Sequence, residues 1–238
     1  MGIPEWLRGA AAAAVVLVAL ASFPAVIWFF HFRRRMIRRI AWVARDLEEA
    51  LRPRDKRYWY LGYLVGFRAR YWVNRGPVTT AAALYIIPPY HVFFYLPVVI
   101  LARRRERLDL AVALRSTGIG GEAHIVDPSD RGAVGSLRAD GVDTSRLRRG
   151  SVALGGRVLE AYHTGGGGAL EEARRLAGEL EGLGARVRRV TVDAGRARIY
   201  VSLTPPQGGP VAPLAEAVLR AAARAARGAA EPGGGAAG

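Results

Sequence analysis

The 238-residue chain has no cysteine, a single lysine (Lys56), one asparagine (Asn74) and one glutamine (Gln207). Without cysteine there are no disulfides, no Cys-ligated zinc or iron–sulfur clusters and no thiol nucleophile. The scarcity of amides fits a thermophilic, archaeal-like source, although GC-rich codon usage gives the same arginine, alanine and glycine bias. Carboxylates are also few: 20 Asp and Glu face 35 Arg and Lys, for a net charge of +15.

Catalytic signatures are equally sparse. There is no Gly-x-Ser-x-Gly elbow, no Gly-Lys-Ser/Thr after a glycine-rich loop and no Gly-x-Gly-x-x-Gly fingerprint. Gly165 to Gly168 does precede a helical pattern. However, Glu171 and Glu172 occupy the first turn and would repel a phosphate, so the run reads as a connector. The four histidines (His31, His91, His124 and His163) are far apart, and none has a partner at metal-ligand spacing. Asp127 and Asp130 flank Pro128-Ser129 as turn residues. The sequence therefore points to no catalytic residue, no cofactor and no metal, and to a non-enzyme before an enzyme.

What is abundant is apolar sequence at the N-terminus. Ala10 to His31 is a run of 22 uncharged residues, about 33 Å as a helix and enough to cross a hydrocarbon core. Pro24 should bend it, and Trp28, Phe29 and Phe30 suit the interface. Ala19-Leu20-Ala21 resembles a cleavage site, but the run is too long for a signal peptide and ends in Arg33-Arg34-Arg35, which favours an uncleaved anchor. Arg8 stands alone before the run, whereas five arginines from Arg33 to Arg39 follow it. The positive-inside rule then gives a single-pass protein of the cell membrane, with its N-terminus outside and its C-terminal domain cytoplasmic.

Charge divides the rest. Residues 33–107 carry a net charge of +12 and residues 108–238 only +3. We divide the chain into an anchor (1–32), a juxtamembrane amphipathic helix (33–53), a basic aromatic-rich region (54–107), an α+β domain (108–227) and a disordered tail (228–238). In 33–53, Met36, Ile40, Val43, Leu47 and Ala50 form one apolar stripe, ended by Pro53. The stripe predicts a helix packed on its own domain; a helix lying on lipid and a coiled-coil seam fit the same pattern.

Alternation predicts strands over 64–73 and 78–87 about a turn at 74–77. Val78 to Ala102 is uncharged and long enough for a second crossing. Pro88-Pro89 and basic flanks on both sides argue instead for a strand followed by a segment buried in the domain or dipping into the inner leaflet. Strands are expected at 108–114 and 122–126, then a long loop over 127–150. Two hairpins follow, 152–162 about Gly155-Gly156 and 187–203 about Asp193-Ala194-Gly195, each succeeded by a helix. The fold class expected is a membrane-anchored α+β protein: one N-terminal transmembrane helix, then antiparallel sheet with helices packed on one face.

The strongest functional signal lies between Arg52 and Arg75, where arginine and aromatic residues interleave. Arg54, Lys56, Arg57, Trp59, Arg68, Arg70, Trp72 and Arg75 are the candidate contacts to an anionic lipid surface or to nucleic acid. Rings can sit among headgroups or stack on bases, and guanidinium groups suit either polyanion. Proximity to the anchor favours anionic headgroups over nucleic acid. The expected function is a non-catalytic, membrane-anchored adaptor or assembly subunit that meets a protein partner or another copy of itself through its distal domain. The alternatives are a membrane-bound enzyme acting on a lipid or other anionic substrate, and a membrane tether for nucleic acid or ribosomes.

Overall fold

The computed structural model describes residues 5–62, 65–90, 105–165 and 168–227. The expected placement of 91–102 in the domain or inner leaflet, and the expected disorder of 228–238, fall outside these residues.

The first element is one continuous helix, α1 (Glu5–Leu51), of 47 residues, roughly 70 Å at 1.5 Å per residue. Pro24 lies inside without ending it. The helix stops where Arg52 takes a left-handed backbone (φ 45°) directly before Pro53. Its two halves differ in environment. The apolar half is long and apolar enough to cross a membrane by length and composition, and none of its most apolar window is buried. In the other half the expected stripe (Met36, Ile40, Val43, Leu47 and Ala50) is entirely buried. The helix packs on its own domain there.

That domain is α+β, built on one nine-stranded antiparallel sheet. The strands are β1 (Asp55–Tyr60), β2 (Gly66–Arg75), β3 (Val78–Ile86), β4 (Arg107–Leu114), β5 (Glu122–Val126), β6 (Arg148–Leu154), β7 (Arg157–His163), β8 (Arg186–Asp193) and β9 (Arg198–Thr204). Their order across the sheet is β1-β2-β3-β4-β9-β8-β5-β7-β6. The helices are α2 (Arg131–Ala139), α3 (Ala169–Gly182) and α4 (Ala212–Arg227). Both expected hairpins and the helices after them are present. The shift from basic to near-neutral sequence at residue 107 falls at the start of β4, in the middle of this single sheet.

Period-two alternation assigns the two sheet faces. Phe67, Ala69, Tyr71 and Val73 of β2, Val190 and Val192 of β8, and Ile199 and Val201 of β9 all join one core. The stripe of α1 and the apolar faces of α3 and α4 cover it. Two buried polar ties fix the helix layer. Asp46 of α1 accepts the Val211 backbone N–H at 2.7 Å, just before α4. Arg224 of α4 clasps Glu172 of α3 with contacts of 2.7 and 2.9 Å.

Two elements depart from the sequence reading. The stretch 127–150 contains α2 rather than only a loop. Asp130 caps it, accepting from Gly132 N at 3.0 Å and Ala133 N at 3.1 Å. Ala133 and Leu137 pack with Val126 and Tyr162 on the sheet face opposite the other helices. Strand β1 was also unforeseen. It has no aliphatic residue, so its pairing with β2, rather than hydrophobic alternation, defines it.

Candidate functional site

The register of β1 on β2 sorts the eight candidate residues. Arg57 lies opposite Arg70, Trp59 opposite Arg68, and Asp55 opposite Trp72. Alternation then puts Arg57, Trp59, Arg68, Arg70 and Trp72 on the face away from α1, α3 and α4. The aromatic residues interleaved with them go the other way: Phe67 and Tyr71 are buried in the core, and Tyr58 packs against it. The mixture seen in sequence is thus two faces: Phe67, Tyr71 and Tyr58 turn to the core, and the arginines share the other face with Trp59 and Trp72.

The remaining candidates separate from this group. Lys56 points back to α1 and pairs with Glu48 at 2.5 Å. Arg75 donates to the Ala50 carbonyl at 3.2 Å. Both brace the sheet against the helix. Arg54, exposed at the entry to β1, donates its backbone N–H to Trp72 O at 2.8 Å.

Glu48 is the hub of the brace, also accepting from the Tyr58 hydroxyl at 2.6 Å. Burial opposes its ionisation, but the hydrogen bonds from Lys56 and Tyr58 outweigh that and hold the carboxyl below its usual value. Burial and the neighbouring Glu48 together push the Tyr58 phenol far above its ordinary range.

Several other arginines of the sheet are paired. Arg107 pairs with Asp109 at 2.7 Å, and Arg189, almost fully buried, pairs with Asp140 at 2.7 Å. Arg188 is held by Asp130. At the other end of the sheet, Asp127 pairs with Arg157 at 2.5 Å and Arg186 at 3.1 Å. By contrast, Arg57, Arg68 and Arg70 make no ion pair among the described residues. The guanidinium of Arg57 lies 6.0 Å from the Trp59 ring centre, close to the limit for a cation–π contact. Arg57, Arg68 and Arg70 thus gather three unpaired cations on the first two strands, whereas Arg148 of β6 and Arg198 of β9, also without an ion pair among the described residues, stand singly.

These strands also have a defined direction relative to α1. At one end Arg75 reaches Ala50. At the other, the Tyr85 hydroxyl donates to Glu106 at 2.8 Å, and Glu106 accepts from Arg39 at 3.2 Å. Beyond β3, Trp28 in the apolar half of α1 donates its indole N–H to Tyr90 O at 3.0 Å. Trp59, Tyr60 and Arg68 accordingly lie toward the apolar half of the helix, with Trp59 46% and Tyr60 72% exposed.

A second feature of the same end is a cavity of about 1090 Å³ between residues 31–42 of α1, the segment after β3, Arg105–Glu106 and the 204–208 loop. It gathers Arg35, Arg38, Arg39, Arg105 and Arg186 around Glu106. From the sequence, Arg35, Arg38 and Arg39 are topology signals, Arg105 belongs to the basic flank after Ala102, and Arg186 has no role. Only the spacing of Arg35, Arg38 and Trp42 on one helix face hinted at a site, because the other walls come from remote segments.

His163 ends β7 with its ring nitrogen Nδ1 3.3 Å from the Thr164 carbonyl. No cluster of metal-ligating side chains occurs among the described residues. The chain matches no protein-family model and no curated protein.

Proposed function

We propose that the chain is a non-catalytic, membrane-anchored adaptor or assembly subunit that docks on anionic lipid headgroups. In this reading the apolar half of α1 crosses the bilayer with the N-terminus outside, and the sheet domain sits in the cytoplasm at its exit. The observation that carries the proposal is the gathering of Arg57, Arg68 and Arg70, all without ion-pair partners among the described residues, beside Trp59 and Trp72 on one exposed sheet face. Each cation near an anionic surface contributes on the order of 1 kcal/mol. Trp59 and Tyr60, at the strand ends nearest the apolar half, supply interfacial rings.

The test uses a fragment of residues 33–238, which retains every residue of the main buried core, since the first of these is Met36. It should sediment with vesicles containing phosphatidylglycerol, bind phosphatidylcholine vesicles weakly, and be released as salt rises, because screening acts within about 8 Å at physiological ionic strength. Replacing Arg57, Arg68 and Arg70 by glutamine should remove most of that binding and leave the circular dichroism unchanged. Equal affinity for neutral and anionic vesicles would overturn the docking proposal. Displacement of the vesicles by a single-stranded oligonucleotide, with loss of oligonucleotide binding in Trp59→Ala, would reassign the same face to nucleic acid.

A further inference from the structure

The cavity beside α1 combines three properties that the flat face of β1 and β2 lacks. It is concave, and its volume of about 1090 Å³ matches the upper end of small-ligand pockets, about 300–1,000 Å³. Its walls are mixed, with Phe32, Trp42, Ile87 and Tyr90 among the basic residues. Its charge is one-sided, since five arginines surround one carboxylate, Glu106.

That carboxylate is already committed. Glu106 accepts from Arg39 at 3.2 Å and from the Tyr85 hydroxyl at 2.8 Å. Arg39 also donates to the Gly209 carbonyl at 3.1 Å and lies over the Trp42 ring at 4.7 Å. Arg39 is thus structural, tying α1 to the loop beyond β9. Arg35, Arg38 and Arg105 make no ion pair among the described residues. Arg186, 44% exposed, shares Asp127 with Arg157. The cavity presents several guanidinium groups with no anionic partner among the described residues, and paired arginines are suited to phosphate oxygens.

Depth along the helix names the occupant. Arg35 and Arg38 follow the end of the apolar run at His31 by four and seven residues, about 6 and 10 Å along the axis. In a bilayer crossed by α1 the headgroup layer adds roughly 5–8 Å to each side of the hydrocarbon core, so Arg35 lies within it and Arg38 at its outer edge, within reach of a long side chain. We propose that this cavity holds the phosphate headgroup of a single anionic phospholipid, whose acyl chains lie against the apolar half of α1. The inference rests on α1 spanning the membrane. It differs from surface docking in being stoichiometric and in using other residues.

The full chain in neutral detergent, examined by native mass spectrometry, should retain one phosphatidylglycerol at concentrations where phosphatidylcholine leaves no adduct. The combined substitution Arg35→Gln, Arg38→Gln and Arg105→Gln should weaken that adduct at least tenfold. The combined substitution Arg57→Gln, Arg68→Gln and Arg70→Gln should leave it unchanged. Equal retention of phosphatidylcholine, or an adduct unchanged by the cavity substitutions, would overturn the site. Displacement of the adduct by millimolar inorganic phosphate would show that a soluble anion, not a lipid, is recognised. Alkaline extraction of membranes separates the two readings. A chain that resists extraction yet holds no phosphatidylglycerol loses only the cavity assignment; a chain that washes out loses the span as well.

Discussion

At the scale of single residues, the most unusual environment belongs to His124. Its ring is 1% exposed, Nδ1 lies 3.1 Å from the Thr191 hydroxyl, and Nε2, without a hydrogen-bond partner among the described residues, lies 3.6 Å from the Glu122 carboxylate. Burial first, and the Arg189 guanidinium second, push its pKa down to about 4; Asp193 and Asp140 pull weakly the other way. The unfolded chain should titrate near 6.5. As pH falls below 6.5 the unfolded state takes up a proton that the native state declines, so stability falls through the window from about 6.5 to 4 and then levels. At about 1.4 kcal/mol per unit the full loss is roughly 3 kcal/mol, of which about 2 should appear between pH 6.5 and 5. Burial opposes the ionisation of Asp127 and Asp130, but hydrogen bonds from Ser129 and then Arg186 to Asp127, and from Arg188 to Asp130, hold both carboxyls low, so their contribution is lost only below about pH 4. Urea unfolding of the full chain in neutral detergent should show this slope, and His124→Gln should reduce it by more than half. An equal slope in the variant would rule out His124 as its source.

At the scale of elements, one glycine holds the register that exposes the basic face. Gly66 opens β2 opposite Ile86 with φ +152°, and a Cβ there would stand 1.9 Å from the Tyr85 carbonyl oxygen. No side chain fits without moving backbone. Because side chains alternate, a one-residue slip of β2 would turn Arg68 and Arg70 toward the helices. Gly66→Ala should therefore cost about 2 kcal/mol, read as a lower melting temperature, while Gly62→Ala, with no atom within 4 Å, should change it little. Equal stability of the two variants would remove Gly66 from this role.

Elements also show what was legible in the sequence. The stripe of α1 and the hairpins about Gly155-Gly156 and Asp193-Ala194-Gly195 were readable because each carries a strict period over aliphatic residues. Helix α2 was obscured by Gly132 and Gly135, and only its Asp130 cap gave a local signal. Strand β1 carried no aliphatic pattern at all. Of the eight candidate contacts, five share a face, a separation that needs the partner strand and so could not be read from residues 54–75 alone. The cavity was less legible still, since it joins α1 to segments roughly 45 to 175 residues away in sequence.

At the scale of the whole molecule, charge and hydropathy support the orientation proposed above. None of the most apolar window of α1 is buried, and the α1 residues of the main core begin at Met36. Arg33, Arg34, Arg35, Arg38 and Arg39 crowd one end of the apolar run against Arg8 at the other. The absence of cysteine makes this orientation directly measurable, because any introduced thiol is the only one. Gln207 is exposed in the loop beyond β9. In intact cells, Gly2→Cys should react with a membrane-impermeant maleimide, and Gln207→Cys should react only after the membrane is permeabilised. The reverse pattern would invert the proposed topology and place the basic face against the outer leaflet. Labelling of both positions without permeabilisation would remove the crossing itself, and with it the headgroup assignment for both the sheet face and the cavity.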